Sequence, residues 1–271
     1  MIYFIVALGL LLALVIVRIS LGNTAKSYRV EFGYSVMPGM REVNADVVDW
    51  AYYGDETFLT VADGTGPGDR AKAAAEVAVR IVSKSFEQTG STGNPAHFFV
   101  SSFHGANAAI LRYIPDSTAG ASLLCAVIKD NFLYYALAGN CRISVFRRGE
   151  IYDLSEGHTF DVLAREALNR REITKADALE VMKENRLYNF VGRDSFQDLE
   201  IFDVPITLKR GDIVLLMTDG VYEHCPDGEM IRILEGKSSC RDIAKKITDI
   251  LNEKACPNQD NASVIAARIN F

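Results

Sequence analysis

Two apolar runs in this chain close on the same pair of residues. "FLTVADG" carries Phe58 to Ala62 into Asp63 and Gly64, and "IVLLMTDG" carries Ile213 to Met217 through Thr218 into Asp219 and Gly220. A third acid, Asp260, precedes the apolar stretch from Ala262 to Ile269, and a fourth, Asp46, opens another such run after "REVNA". An acid at the end of a buried strand is held rigidly at a sheet edge, and a glycine after it lets backbone or ligand come close. Taken singly, an Asp-Gly pair is ordinary turn chemistry. Several that converge make a donor set of oxygens alone, which without Cys or His selects a hard cation, Mg²⁺ or Mn²⁺. Such ions polarise phosphoryl oxygens and deliver hydroxide in line.

The elements that must hold these acids can be read from periodicity. "RVEFGYSV" (29–36), "FLYYALA" (132–138) and "CRISVF" (141–146) alternate with period two, as half-buried strands do. Arg148 and Gly149 turn the last of these into "EIYDL", which makes a hairpin. Helical spacing covers 69–88 and 94–113, the second with Asn94 as N-cap and Pro95 at its first position. Shorter helices are expected over 159–168, 175–184 and 239–252. "DGTGPGDRA" (63–71) lacks the Lys-Ser/Thr of a nucleotide-binding loop and reads as a tight turn. Strands come in runs and helices in pairs, which favours antiparallel sheets flanked by helices, an α+β class.

Composition narrows the function. A formal charge of −6 and a pI near 5.3, with no basic stripe, argue against a nucleic-acid partner. Cys125, Cys141, Cys225, Cys240 and Cys256 are odd in number and lack Cys-x-x-Cys spacing, so neither a disulfide framework nor a zinc site is signalled. The histidines His97, His104, His158 and His224 are scattered. At the start of the chain, Ile2 to Val17 carries no charge and no proline. It reads as a transmembrane anchor within residues 1–21, with a cleaved signal peptide as the rival reading, although a basic leading region and a clear cleavage site are missing. Arg18, Lys26 and Arg29 all follow the span, which places the bulk of the chain on the cytoplasmic side, and unpaired cysteines suit that side. Residues 22–28 form a short linker and 29–271 one domain. An extended spacer from Leu21 to Tyr28 reaches at most about 28 Å, so membrane-associated substrates are expected.

The order of motifs resembles the metal-dependent serine/threonine protein phosphatases of type 2C, the PPM family. "REVNAD" is similar to that family's Arg-x-x-Asn-Glu-Asp, "VADGTG" to Ala-Asp-Gly-Met-Gly, and "LAGNCRISVFRRGEIYDLSEGHT" to its Gly-Asp-Ser-Arg hairpin. "LAREALNRREITKADA" resembles the helical segment that follows, and "GDIVLLMTDGVYEH" and "DNASVIAARI" the last two acidic motifs. The resemblance implies a central sandwich of two antiparallel β-sheets flanked by helices, with a two-metal Mg²⁺ or Mn²⁺ centre at one edge. It implies that Asp63 bridges the metals, the Gly64 carbonyl binds one, Asp219 and Asp260 bind the other, and Asp46 supports bound water. Arg41 would grip the substrate phosphate with its planar donor fork. A metal-bridging water would attack phosphorus in phosphoserine or phosphothreonine of phosphoprotein substrates, with no phosphoenzyme. Three positions depart from the pattern. Ala45 stands where the family has glutamate, which weakens the second metal site; Asn140 stands where bacterial members have a third-metal aspartate; Thr65 offers no histidine as acid. Ala45 and Asn140 support the alternative of a pseudophosphatase that binds phosphoproteins or docks a partner at the membrane without turnover, whereas the presence of Asp63, Asp219, Asp260 and Arg41 together favours the enzyme.

Overall fold

Strand β1 (Val30–Met37) is followed by β2 (Asp46–Tyr53) and β3 (Glu56–Thr65), and then by two long helices, α1 (Gly68–Thr89) and α2 (Pro95–Tyr113). Four more strands follow: β4 (Gly120–Lys129), β5 (Phe132–Ala138), β6 (Arg142–Arg147) and β7 (Glu150–Asp153). After α3 (Phe160–Asn169) and α4 (Lys175–Val181) come β8 (Glu200–Ile201), β9 (Ile206–Thr207) and β10 (Ile213–Met217). The chain ends through α5 (Asp219–Tyr222), α6 (Asp227–Leu234), α7 (Cys240–Lys254) and β11 (Ala262–Ile269). This computed structural model describes residues 30–114, 118–182, 186–196, 199–202, 204–254 and 256–270. The expected membrane anchor at 1–21 and linker at 22–28 lie outside the described residues. Among those described, no helix is long and apolar enough to cross a membrane.

The strands pair antiparallel into two sheets, one ordered β1-β11-β10-β6-β7 and the other β2-β3-β4-β5-β8, with β9 also on β5. Their facing sides enclose Leu59, Val61, Leu124, Tyr135, Leu137, Ile143, Val214, Leu216 and Ile265. The outer side of the second sheet buries Phe58, Ala62, Leu123 and Val127 against Val82, Phe86, Phe99 and Phe103 of α1 and α2. The outer side of the first buries Leu215, Met217, Val264 and Ala266 against Ile243, Ile247 and Leu251 of α7. This is the expected α+β sandwich flanked by helices. Layers on both sides explain why β3, β4, β10 and β11 read as continuous apolar runs instead of alternating ones. Each large side chain so buried contributes about 1.5–3 kcal/mol.

Local details follow the expected chemistry with small shifts. Asn94 caps α2 by accepting from the His97 amide at 3.1 Å, with Pro95 in the first turn. Arg148 and Gly149 both take positive φ, 53° and 85°, as a two-residue hairpin turn requires. The reading of 63–71 as a turn is corrected: pairing of Gly64 with Ala121 and Thr65 with Gly120 keeps β3 extended past Asp63. The turn falls at Gly66 to Gly68, where φ is 116° and 44° at the two glycines. Asp219 likewise does more than end a strand, since it sits in the first turn of α5. The described part of α4 stops at Val181, short of the expected 184, and 183–185 lie outside the described residues.

Candidate metal centre

The four acids meet at one end of the sandwich. Asp46 and Asp63 are direct cross-strand partners in the β2–β3 register, so their side chains leave the same face of the sheet. Asp219 and Asp260 come from the other sheet, just after β10 and just before β11, which are neighbours. A hydrogen bond ties the two sheets together here: the Thr218 hydroxyl donates to Asp46 Oδ2 at 2.9 Å while its oxygen accepts from the Ser263 amide at 2.9 Å. Arg41, Ala45, Asp63, Gly64, Asn140, Asp219 and Asp260 line one cleft of about 790 Å³, together with Arg186 and Phe190.

The glycines after the acids are explained by close approach. A Cβ on Gly64 would stand 2.2 Å from the Ala71 carbonyl oxygen, and one on Gly220 would stand 2.0 Å from the Asn261 carbonyl oxygen. Neither needs a positive φ; each is glycine because another backbone segment lies against it. Asn261 is the clamp around which this end is built. Its Oδ1 accepts from the Ala45 amide at 2.9 Å and its Nδ2 donates to the Pro38 carbonyl at 2.8 Å. Gln259 donates to the Gly220 carbonyl at 3.0 Å. Thr218, Gln259 and Asn261 escaped sequence reasoning; their one signal is that they adjoin the acids in "MTDG" and "NQDNAS".

Two acids already have partners. Arg41, expected to hold phosphate, donates to Asp260 through both Nε (2.9 Å) and Nη2 (2.6 Å), and is itself largely exposed at the cleft rim. Asn140 donates from Nδ2 to Asp219 Oδ2 at 2.8 Å. Its backbone carbonyl accepts from the Tyr222 hydroxyl at 2.8 Å, and Arg142 stacks on the Tyr222 ring at 3.8 Å. Ala45 is buried beside Gly64, whose amide donates to the Ala45 carbonyl at 3.2 Å.

Among the described residues, no three His, Cys, Asp or Glu side chains close on a common point as a formed metal site would. Asp260 is held instead by the two-pronged contact with Arg41. The donor chemistry nevertheless fits a hard cation. Asp46 Oδ1 and Asn140 Oδ1 are buried with no hydrogen-bond partner, and the acids carry more negative charge than one arginine offsets.

That excess charge is visible in the protonation equilibria. Burial, then the charges of Asp219, Asp46 and Asp260, push Asp63 well above the usual carboxylate range, with Arg41 opposing. Burial is also the main cause at Asp46, pushed up to about 7, and at Asp219, pushed up to about 6 with further contributions from Glu223 and Asp260. Carboxyls raised on folding bind more protons in the native state than in the unfolded one, so the stability contributed by these groups is fully present below pH about 4 and is lost as pH rises towards 7. A bound cation reverses that preference. The increase in Tm on adding Mn²⁺ is therefore expected to be larger at pH 7.5 than at pH 5, as read by thermal unfolding against a chelator blank. An equal increase at both would show that these carboxyls do not hold the ion.

Comparison with known proteins agrees with this architecture. The family Protein phosphatase 2C matches residues 41–261, from the arginine at the cleft rim to the asparagine clamp. A serine/threonine phosphatase Stp of Listeria innocua is 26% identical over 225 residues, covering 80% of this chain and 86% of the relative. A PTC7-homologue protein phosphatase of Drosophila ananassae is 28% identical over 216 residues, 76% of this chain and 59% of the relative. Among solved structures, the S. agalactiae serine/threonine phosphatase superposes with a TM-score of 0.78 at 17% identity, over 89% of this chain and all of that one. The catalytic domain of the phosphatase PstP with two manganese ions gives 0.67 at 22% identity, over 89% and 99%. With the family matching most of its length and the acidic residues gathered at one end of the sandwich, the chain belongs to the protein phosphatase 2C family.

Proposed function

We infer that this chain is a metal-dependent serine/threonine protein phosphatase that uses Mg²⁺ or Mn²⁺ held by Asp63, the Gly64 carbonyl, Asp219 and Asp260. The observation that carries the reading is the gathering of these carboxylates from both sheets into one cleft with Arg41 at its rim. Bound there, the ion acidifies water and neutralises phosphoryl oxygens. The chain's own residues do the rest. Arg41 offers the phosphate the same two-pronged donor it now gives Asp260. Asp46, fixed by Thr218, stands behind Asp63 as a hydrogen-bond acceptor for water. Asn140 orients Asp219 through its amide. The direct test is hydrolysis of a phosphothreonine peptide by the full chain, with Mn²⁺ titrated against chelator. Turnover that tracks Mn²⁺ supports the enzyme, and binding of the phosphopeptide without turnover supports the pseudophosphatase that Ala45 favours.

Ala45 sets the expected metal requirement. It lines the cleft beside Gly64, with its backbone clamped on both sides. Ala45→Glu adds an anionic donor at that wall and is expected to lower the Mn²⁺ needed for half-maximal rate by about tenfold. An unchanged or raised requirement would remove Ala45 from the second site.

The placement we propose is the cytoplasmic face of a membrane, with Ile2 to Val17 as the anchor and membrane-associated phosphoproteins as substrates. Support comes from the uncharged run and the trailing Arg18, Lys26 and Arg29. A C-terminal tag should sediment with membranes and survive protease added to intact cells. A soluble, shortened product would return the segment to signal-peptide status.

A further inference from the structure

β1 and β2 are the edge strands of the two sheets on the same side of the sandwich, and between them lies a cluster of aromatic rings. Trp50 stands 5.5 Å from Phe32 and 5.1 Å from Tyr34, ring centre to ring centre, and Phe32 stands 6.2 Å from Tyr52. A plug closing the sandwich would be expected to bury these rings. Instead Tyr34 is 45% exposed, Trp50 37% and Tyr52 47%, and only Phe32 packs down onto the core. The rings run from the middle of the sandwich towards the end where β1 begins. That end is remote from the cleft, because Val30 pairs with Ile269 while Met37, seven residues on, pairs with Ala262 beside Asp260. Counted to Met37 at about 3.3 Å per strand residue, Phe32 lies roughly 17 Å and Tyr34 roughly 10 Å along β1 from the cleft end.

The chain arriving at Val30 comes from the uncharged run Ile2 to Val17, and Arg18 to Arg29 alone separates the two. Any bilayer holding that run is within a short spacer of these rings. Tyr and Trp are the side chains that favour the membrane–water interface, with an apolar ring and a polar edge. Charge beside the rings is balanced: the groove next to Tyr34 carries Arg241 and Lys245 together with Asp242 and Asp249, Lys245 pairs with Asp249 at 2.7 Å, and Glu31 is offset by Arg268 at 3.6 Å, so the rings and not a charged patch make the contact.

We propose that Phe32, Tyr34, Trp50 and Tyr52 form an interfacial contact that seats the domain on the bilayer its leading segment enters, with the catalytic cleft facing away at the other end of β1. This rests on the membrane placement argued above. The contact fixes the orientation of the domain on the membrane, so phosphorylated segments standing off the membrane meet the cleft directly.

The chain supplies its own probe, since Trp50 is its one tryptophan. The full chain is reconstituted into vesicles of phosphatidylcholine and phosphatidylglycerol, with or without bromine on the acyl chains near the headgroup. Bromine in the lipid is expected to quench Trp50 emission, and Tyr52→Asp is expected to reduce that quenching while hydrolysis of a soluble phosphopeptide stays unchanged. If the chain floats with the vesicles but Trp50 is indifferent to bromine, the contact is overturned and the anchor stands. A chain that does not float with them overturns both.

Discussion

Asp63→Asn is expected to cut turnover of a phosphothreonine peptide by about a hundredfold or more at saturating Mn²⁺, since even residues outside a metal's direct ligands cost 10–100-fold when lost. The same substitution should not weaken the metal-free fold. Asp63 is buried among three other acids and its ionised form is disfavoured there, so an uncharged amide of the same shape relieves repulsion. At pH 7.5 the variant's Tm without metal should equal or exceed that of the unchanged protein, while the increase produced by Mn²⁺ disappears. A variant that turns over normally would remove Asp63 from the centre. One that has simply lost stability would assign Asp63 a structural role.

Gly220→Ala should be among the most damaging single methyl additions to the domain. The new Cβ would meet the Asn261 carbonyl oxygen at 2.0 Å, an atom of backbone that no side-chain rotation can move. Overpacking of this kind costs about 3 kcal/mol, and the segment forced to shift also carries Asp260 and the clamp to Ala45 and Pro38. Loss of Mn²⁺ affinity should therefore accompany loss of stability. Gly228→Ala in α6 is the control, because nothing lies within 4 Å of its Cβ; its stability should stay within about 1 kcal/mol of the unchanged protein. Equal effects of the two substitutions would contradict the close approach at Gly220.

How much of this was legible in the sequence depended on separation along the chain. Asp63 and Asp219 stand out because each closes an apolar run, and Gly64 and Gly220 because each follows an acid. The sandwich was legible through the alternating strands and paired helices. What joins the acids was not. The Arg41–Asp260 and Thr218–Asp46 contacts link residues 219 and 172 positions apart, and no local pattern predicts such a partner. Asn261 carries no signal of its own, since a clamp made by one side-chain amide leaves no periodicity. The turn after Asp63 was placed too early because Asp-Gly is a turn signal, and pairing with β4 overrides it. α5 is a single turn of four residues, too short to leave a helical repeat.

The pairing of β1 with β11 along their whole lengths, Val30 against Ile269 through Met37 against Ala262, bears on how the protein comes into being. Residues near the two ends of the described chain must find each other before the first sheet closes, a contact of long sequence separation that slows folding. The acids arrive at the ribosome exit in the order Asp46, Asp63, Asp219, Asp260, and the last precedes the final strand directly. A nascent chain thus has α1, α2 and the second sheet well before it has all four acids. On the reading proposed above, a chain interrupted before residue 260 lacks both the fourth acid and the strand that closes the first sheet, and is expected to bind Mn²⁺ more weakly than the unchanged protein.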